Sequence, residues 1–363
     1  MKKTTTTLLL LCAFWGTMKA EDGFTVSNVN LELGGEEKAL IVGLSGTLIY
    51  TAYNMDIYLP DGIEVAVGDN GKYKVSMVKK ANGIYPNDYD EDDDSYEYYH
   101  TLGVEFHVDE NGRYLRIACT SNTNAEFQNT SGDLFRVYLK ATNYCKPGTA
   151  QLSFSGLNLT EKNNEKHVPA DFVSDAITVG DACSIAINIT AANQFATCIL
   201  PFAVVELPEG LKAYSALTAS DGFVNLTEAD GVEAYKPYIL YAESGFSGIL
   251  GGTVDENLYV TSATEGVLTG LIVTQNVSDG YILQNKGEET LFYKVGETPF
   301  ALPAGKCYMT LSSDAAGYRF RIGTTNIETP VLKTDDAAYD LQGRPMTETQ
   351  GLRIVNGKKV FVK

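Results

Sequence analysis

Short runs of alternating or continuous apolar residues recur along most of the chain, and turn residues separate them. The runs are rich in Val, Ile, Tyr, Thr and Phe, and few stretches show the 3.6-residue period of a helix. The clearest examples in the first half are FTVSNVNLEL, KALIVGL, YNMDIYLPDGIEV, YKVSMV, LGVEFHVDENGRYLRIAC and DLFRVYLKA. This pattern predicts an all-β protein with two successive β-sandwich or β-barrel-like domains and a small C-terminal β-hairpin unit.

The turns between these runs suggest how the chain is divided. Asn111-Gly112 lies between two apolar runs and favours a hairpin, and Asp69-Asn70-Gly71 indicates another turn. A first sandwich would end near Gly180, and the polar segment around Pro330 has the composition of a linker. The predicted units are a signal peptide at 1–20, a first sandwich at 21–180, a second all-β domain at 181–323, a linker at 324–338 and a C-terminal segment at 339–363.

The first 20 residues have the order of a secretory signal peptide. Lys2-Lys3 precede an apolar stretch that starts at Leu8, and small Ala20 precedes the acidic residues of the following segment. The apolar stretch is much shorter than the ~20 residues that span a bilayer, and we expect no transmembrane helix. A lipoprotein with Cys12 as the acylated residue is the alternative. The sequence therefore predicts an exported protein at the outer-membrane surface or outside the cell.

The charge of the chain narrows the class of partner. There are 28 Lys and Arg residues against 46 Asp and Glu residues, a net charge of −18. Without Lys2, Lys3 and Lys19 the mature chain would carry −21. Nucleic-acid phosphates require clustered basic residues, so we expect no nucleic-acid partner. We expect a protein or polysaccharide partner at the cell surface instead.

The first region resembles the superfamily of cohesins and carbohydrate-binding modules. The resemblance lies in YNMDIYLPDGIEV, residues 53–65, and in SGDLFRVYLKATNYCKPGTAQLSFSGLNLT, residues 131–160. It implies a β-sandwich from a family that includes scaffold domains, which hold enzyme-borne partner modules, and domains that bind polysaccharide. Fold resemblance alone does not choose between these functions. The second region is similar to modules near the C-termini of surface proteins of some Gram-negative bacteria, which implies no activity.

An acidic segment in the first half is the strongest local candidate for metal binding. Asp88, Asp90 and Asp92 match the start of a calcium loop, because hard cations prefer several carboxylate oxygens on a short turn. Asp93 stands where that loop needs Gly, and Tyr99 stands where it needs Glu. The segment predicts either a Ca²⁺ site or a solvated acidic loop, and we expect no other cofactor.

The same segment carries tyrosines that could contact a glycan or a protein partner. They are Tyr89, Tyr96, Tyr98 and Tyr99. Sugar rings pack on aromatic faces while carboxylates accept hydrogen bonds from the hydroxyls. The mature chain has no Trp, the largest such platform, and Tyr98 has the alternative of facing the core. Carbohydrate binding within a polysaccharide-use system is therefore the second functional hypothesis.

Catalysis has little support in the sequence. His100, His107 and His167 have no metal-pair spacing, and no Gly-x-Ser-x-Gly motif occurs. A glycan hydrolase remains the third hypothesis, because any acid-rich chain contains pairs of carboxylates. The mature chain would have five cysteines, without a Cys-x-x-Cys spacing, and we expect small buried hydrophobic residues with room for one disulfide. We therefore expect a non-catalytic binding protein.

The last 25 residues differ from the rest in charge and pattern. From Asp336 to Lys363 the net charge is +2, and GLRIV and KKVFV flank Asn356-Gly357, which predicts a hairpin. The segment resembles the C-terminal sorting domain of type IX secretion, which implies recognition by secretion machinery at the outer membrane. The positions that carry the resemblance are Tyr339, Asp340, Leu341, Gly343, Gly351, Val355, Gly357 and Lys363. The alternative is a hairpin that completes the sheet of the second domain.

Overall fold

The computed structural model describes residues 22–78, 100–286, 289–296, 298–311, 315–322, 351–355 and 358–362. Within these ranges the chain is built of strands, as predicted, and its helical content is one 3-10 turn at Glu256–Leu258. The all-β fold class is therefore confirmed. Linker residues 324–338 lie outside the described ranges.

Twelve strands form the first sandwich. They are β1 Gly23–Val26, β2 Val29–Leu31, β3 Lys38–Ser45, β4 Ala52–Leu59, β5 Ile63–Val65, β6 Val75–Met77, β7 His100–Asp109, β8 Gly112–Ser121, β9 Gly132–Ala141, β10 Gly148–Thr160, β11 Lys166–His167 and β12 Phe172–Val179. One sheet has the order β1-β3-β9-β5, with β6 also on β9. The other has the order β2-β12-β10-β4-β8-β7, with β11 also on β10.

The alternation along β4 shows why these sequences form a two-layer fold. Tyr53, Met55 and Ile57 are buried, whereas Asp56 and Tyr58 point to the opposite face of the sheet. Successive side chains on a strand point to opposite faces, so one face of β4 enters the core and the other remains accessible. The same period recurs in β8 and β10, and the core lies between the two sheets.

Two predicted turns connect strands of the first sandwich. The turn at 69–71 is present, with Gly71 at φ +74° and its amide donating to the Gly68 carbonyl. The hairpin between β7 and β8 is also present, but its two turn residues lie one position earlier in the chain than a turn formed by Asn111-Gly112 predicts. Asp109 pairs with Gly112, so the two connecting residues are Glu110 and Asn111. The Asn111 amide donates to Asp109 Oδ1, an Asx turn that stabilises this placement.

Fourteen further strands lie between Gly180 and Ile322. They are β13 Ala182–Ile189, β14 Phe195–Ile199, β15 Lys212–Ser220, β16 Phe223–Ala229, β17 Pro237–Tyr241, β18 Phe246–Thr253, β19 Ser262–Glu265, β20 Leu268–Leu271, β21 Gln275–Val277, β22 Tyr281–Lys286, β23 Glu289–Lys294, β24 Phe300–Leu302, β25 Cys307–Met309 and β26 Gly317–Ile322. Ten of them form one sheet in the order β14-β17-β15-β16-β26-β23-β22-β25-β20-β19. β13-β18 and β21-β24 form two-stranded ribbons.

One predicted strand of this region has a different conformation. The β-branched and aromatic residues of ENLYVTSA predict an extended run, but Glu256–Leu258 form the 3-10 turn and β19 starts only at Ser262. The Asp255 carboxylate accepts the Asn257 amide at the start of the turn. An Asp at this position stabilises a helical start locally, and this local interaction outweighs the β propensity of the run.

A loop of the first sandwich packs into the second set of strands. Tyr144 lies between β9 and β10, and its carbonyl accepts a hydrogen bond from the Tyr259 hydroxyl. Cys183 Sγ contacts the Asn143 carbonyl at 3.4 Å. Burial raises the pKa of Tyr144 well above its usual value, and the nearby Cys198, Cys183 and Cys307 thiols add to this shift. The two regions thus share one hydrophobic core at this junction.

The C-terminal strands form the predicted hairpin ladder. β27 Gly351–Val355 pairs antiparallel with β28 Lys358–Val362, and Val355 is opposite Lys358. The two residues between these strands lie outside the described ranges. Among the described strands, β27 and β28 hydrogen-bond only with each other.

Candidate functional site

Most of the sequence-predicted site residues lie outside the described part of the chain. This holds for the acidic and tyrosine-rich segment, with Asp88, Asp90, Asp92, Tyr89, Tyr96, Tyr98 and Tyr99. It also holds for Tyr339, Asp340, Leu341, Gly343, Gly357 and Lys363 of the C-terminal motif. Gly351 begins β27 and Val355 ends it. The calcium, glycan-contact and sorting interpretations therefore stay predictions.

The described residues point to another candidate, the outer face of strands β7, β8, β4, β10 and β12. We call it the outer face. Its side chains alternate with the core residues of the same strands, and they include exposed Arg116 and Val173, of which Val173 is 58% exposed. These five strands contain no lysine. Lysine is depleted at protein interfaces, whereas Tyr and Arg are enriched.

An aromatic ladder crosses the outer face. His107 on β7 stacks on Tyr114 on β8 with ring centroids 5.2 Å apart, and Tyr114 stacks on Tyr58 on β4 at 4.8 Å. The register explains the ladder, because His107 is directly opposite Tyr114 and Tyr114 is directly opposite Tyr58. Cross-strand aromatic pairs of this kind stabilise a sheet. They also fix three large side chains in one row before any partner binds.

An ion pair lies beside the ladder, two residues away along each of strands β4 and β8. Arg116 on β8 donates from Nε to Asp56 Oδ1 at 2.8 Å and from a terminal nitrogen to Oδ2 at 2.7 Å. The same guanidinium lies over the Tyr114 ring, 5.5 Å from its centroid. The hydrogen bonds to Asp56 raise the pKa of Arg116 above its already high value. The arginine is therefore held in one orientation, with part of it open to solvent.

A shallow depression of about 370 Å³ opens on the other side of Tyr58. Its lining includes Ser153 and Ser155 of β10, exposed Val173 of β12 and Phe172, whose ring stacks on Phe154 at 4.5 Å. The depression combines an apolar floor with hydroxyl groups at its edge. Such a surface can accept an apolar side chain and hydrogen-bond its polar surroundings.

The charges around the outer face are mainly negative. Glu105, Asp109, Asp171 and Asp175 lie on or beside it, in addition to the paired Asp56. The Tyr58 hydroxyl donates to Asp109 Oδ2 at 2.8 Å, and this hydrogen bond raises the pKa of Tyr58. Tyr58 therefore remains a neutral donor, and the face as a whole favours a partner with positive charge.

The opposite sheet of the sandwich has a different surface. Lys140 on β9 pairs with Glu64 on β5 at 3.3 Å, and Lys74 pairs with Glu37. Exposed Lys–Glu pairs contribute little to stability and keep a surface hydrated. The contrast marks the outer face of the seven-stranded sheet, rather than the five-stranded sheet, as the candidate site.

The histidines and cysteines of the described chain occupy defined places. His107 belongs to the ladder, and buried His100 stacks on Phe127 at 4.4 Å, where burial lowers its pKa. All five cysteines are buried free thiols, as the small-hydrophobe interpretation predicted. One group of potential metal ligands occurs in the described chain, at Glu161, Glu165 and His167. It lies on the β10–β11 hairpin and is distinct from the ladder.

No known protein family is matched by the chain, and no curated protein is similar to it. Within the described ranges, none of the helical structure is of the length and apolarity that a membrane crossing requires.

Several solved structures are similar to 44% of the chain. One is a non-cellulosomal cohesin from the archaeon Archaeoglobus fulgidus, at 12% identity and a TM-score of 0.29, with 91% of that cohesin covered. Another is a type I cohesin–dockerin complex from Clostridium thermocellum, at 12% identity and a TM-score of 0.32, with 99% covered. A third is the cohesin module of a family 33 glycoside hydrolase from Clostridium perfringens, at 12% identity and a TM-score of 0.30, with 96% covered. The two sheets of strands β1–β12 form the expected sandwich in the described residues, and its cohesin character stays a prediction.

Proposed function

We propose that this protein is an exported, non-catalytic binding protein that docks a protein partner on the outer face of its first sandwich. The observation that carries the proposal is the His107–Tyr114–Tyr58 ladder beside Arg116, on a sheet face without lysine. Tyr and Arg side chains that are already held in place lose little conformational entropy on binding, and they dominate the energetics of many interfaces.

The partner that fits this face has a basic, amphipathic surface. An apolar side chain would enter the depression beside Val173 and Tyr58, and basic groups would face Asp109, Asp171 and Glu105. Charge complementarity of this kind mainly raises the association rate and makes it sensitive to salt. We therefore expect association to slow as ionic strength rises, since the Debye length falls to about 8 Å at physiological salt.

The geometry of the ladder favours a protein partner over a stacked sugar. Tyr114, the middle ring of the ladder, stacks on His107 at 5.2 Å and on Tyr58 at 4.8 Å, so neighbouring rings cover both of its faces. A pyranose ring needs a free aromatic face. Polysaccharide binding remains the alternative function and rests on the tyrosines at 89–99. Retardation in a polysaccharide affinity gel that depends on Tyr96, Tyr98 and Tyr99 would support that alternative.

Two exposed valines offer a matched test of the proposal. Val173 on the outer face is 58% exposed, and Val67 at the edge of the five-stranded sheet is 53% exposed. We expect Val173→Lys to reduce capture of the partner from native envelope and medium at least about tenfold, because it places a positive charge where the basic groups of the partner would bind. Val67→Lys should capture the partner as the native protein does. Equal capture by all three proteins would contradict docking on the outer face.

Export and surface attachment are part of the same proposal. They are supported by the signal-peptide pattern of residues 1–20 and by the sorting-like pattern of residues 339–363. Deletion of 339–363 should leave a folded protein in the periplasm of the native cell. If the deletion variant reaches the surface, or if it misfolds, residues 339–363 do not act as a sorting signal.

A further inference from the structure

A second cluster of side chains lies on the hairpin that joins β10 to β11, at one end of the sandwich. Leu159 pairs with His167 and Thr160 pairs with Lys166, and the Glu161 amide then donates to the Glu165 carbonyl at 2.9 Å. Because strand neighbours alternate between faces, this register places Glu161, Glu165 and His167 on one face. One potential ligand atom from each of the three lies within 4.8 Å of the others.

The cluster places two carboxylates beside one imidazole. Glu161 and Glu165 are opposite each other across the hairpin, and like charges in this arrangement destabilise a β pair. Lys162, at the tip of the hairpin, donates to Glu126 at 3.2 Å. His167 Nε2 is 2.5 Å from Glu161 Oε1, and a Glu165 carboxylate oxygen lies within 4.8 Å of the ligand atoms of both residues. A cation in this position would relieve the repulsion between the carboxylates.

We propose that Glu161, Glu165 and His167 bind a divalent transition-metal ion of the Zn²⁺ or Co²⁺ type. An imidazole nitrogen with two carboxylates suits these ions, whereas Ca²⁺ requires six to eight oxygen ligands. Zn²⁺ binds nitrogen and oxygen ligands at about 2.0–2.2 Å, and these are spaced ~3.5 Å apart in a tetrahedral site. Glu165 is exposed, so its side chain can rotate to reach this spacing, and water completes the coordination.

The metal would act as a clamp between three segments of the sandwich. The His167 ring packs edge-on against Tyr50, with centroids 5.7 Å apart. The Tyr50 hydroxyl donates to Asp22 at 2.6 Å. Fixing the imidazole therefore fixes Tyr50 and, through Asp22, the segment that leads into β1. Groups that orient or pack against a ligand commonly stabilise the site in return.

Isothermal titration of the full-length protein with Zn²⁺, Co²⁺, Ca²⁺ and Mg²⁺ tests the proposal, together with Co²⁺ absorption spectra. We expect one Zn²⁺ site per chain, with weaker Ca²⁺ and Mg²⁺ binding at the hairpin, and Co²⁺ ligand-field bands. His167→Gln and Glu165→Gln should each weaken Zn²⁺ binding by about tenfold or more. Glu126→Gln is the matched control, since Glu126 lies beside the hairpin but outside the ligand set, and it should leave Zn²⁺ affinity unchanged.

Thermal unfolding gives a second readout. Zn²⁺ should raise the Tm of the native protein, because an ion that binds only the folded state stabilises it, and the rise should be absent in His167→Gln. Any Ca²⁺ bound by residues 88–92 should be unaffected by His167→Gln, which separates the two sites. The proposal is overturned by Zn²⁺ affinity that is unchanged in His167→Gln, or by no Zn²⁺ binding at millimolar ion. Equal binding of Ca²⁺ and Zn²⁺ at the hairpin would also overturn it.

Discussion

Arg116 on β8 forms two parallel hydrogen bonds with Asp56 on β4, at 2.8 and 2.7 Å, while the Arg116 guanidinium covers the Tyr114 ring. The pair thus joins the charged part of the outer face to its aromatic ladder. The Arg116 side chain is 49% exposed and that of Asp56 is 14% exposed. The pair therefore lies at the surface, where its main effect is to hold the guanidinium in one orientation rather than to stabilise the fold.

A double-mutant cycle of Arg116→Ala and Asp56→Ala measures this interaction. We expect a coupling of about 0.5–1 kcal/mol in the free energy of unfolding, because solvent screens exposed ion pairs. Urea unfolding of the four proteins gives the value. Arg116→Lys keeps the charge but not the two-bond geometry, and it should lose most of the coupling. A coupling above about 3 kcal/mol would indicate a buried structural pair instead.

Asp22 ties the segment that leads into β1 to the loop before β4. Its carboxylate accepts hydrogen bonds from the Thr47 and Leu48 amides at 2.7 and 3.0 Å, from the Thr47 hydroxyl and from Tyr50. We expect Asp22→Asn to lower the free energy of unfolding by about 1–3 kcal/mol. Asp175→Asn, which removes an exposed carboxylate bonded to Gln151, is the control and should change stability by less than about 0.5 kcal/mol.

The effect of Asp22 should depend on pH in a defined direction. Burial raises the pKa of Asp22, but the hydrogen bonds from Tyr50, Thr47 and Leu48 outweigh burial, and the folded-state pKa lies below 3.8. A carboxyl group whose pKa is lower in the folded than in the unfolded state contributes to stability. This contribution is complete above the unfolded-state pKa and is lost as pH falls through the folded-state pKa. The difference between native and Asp22→Asn proteins should therefore be full at neutral pH and shrink in strongly acid buffer. A difference that grows on acidification would contradict the assignment.

Tyr144 lies close against Gly305 at the junction of the two regions. A Cβ added at Gly305 would lie 1.9 Å from the Tyr144 hydroxyl, and Gly305 has φ +79°. Gly210 has φ +83° in a similar Leu-Pro-x-Gly turn, with nothing within 4 Å of an added Cβ. Both Gly→Ala substitutions strain the backbone, by about 1 kcal/mol or more. Only Gly305→Ala also displaces the Tyr144 side chain. It should therefore lower the free energy of unfolding clearly more than Gly210→Ala does.

Tyr144→Ala separates the two contributions at this junction. Alone it should destabilise the protein by about 2–4 kcal/mol, through loss of buried aromatic contacts. Combined with Gly305→Ala, it should remove the excess cost of the Gly305 substitution over that of Gly210→Ala. Thermal and urea unfolding measure both effects. Equal costs for Gly305→Ala and Gly210→Ala in the native background would mean that Tyr144 does not pack against Gly305.

The buried thiols should be inert in the folded protein. Burial raises the pKa to about 12 for Cys119, Cys145 and Cys198 and to about 11 for Cys183, and it raises that of Cys307 as well. Thiolates, rather than thiols, react with alkylating reagents, so we expect negligible labelling at neutral pH. In denaturant without reductant, five thiols should react if residues 1–20 have been removed, and six if Cys12 is retained. Fewer than five would reveal a disulfide.

The strands of the first sandwich followed from local pattern, since β3, β4, β7, β8 and β9 all coincide with alternating apolar runs between turns. The outer face could not be predicted from local pattern in the same way. Tyr58 and Asp56 on β4, and Tyr114 and Arg116 on β8, are visible as outward-facing pairs two residues apart. Their meeting depends on the register between strands that are more than 50 residues apart in the chain. Non-local register of this kind cannot be derived from the period of a single strand.

Parts of the second region are hard to predict from the sequence for other reasons. β18 contains three glycines, which lower its β propensity, although it pairs along its whole length with β13. β15 and β16 are joined by a turn that the sequence does indicate, at Asp221-Gly222, whose residues have φ +53° and +77°. Asp-Gly between apolar runs is a strong hairpin indicator. The cluster of Glu161, Glu165 and His167 on the β10–β11 hairpin matches no known metal-binding sequence motif, because the hairpin register brings its members together.

Site-specific photo-crosslinking tests the central claim most directly. A photoreactive residue at Ser153, on the outer face beside Tyr58, is compared with one at Ser76 on β6 of the opposite sheet; both serines are exposed. In the native envelope we predict a discrete protein adduct from position 153, weakened by Arg116→Ala and by higher salt, and none from position 76. Adducts of equal yield from both positions, or an adduct from position 76 alone, would contradict docking of a protein partner on the outer face.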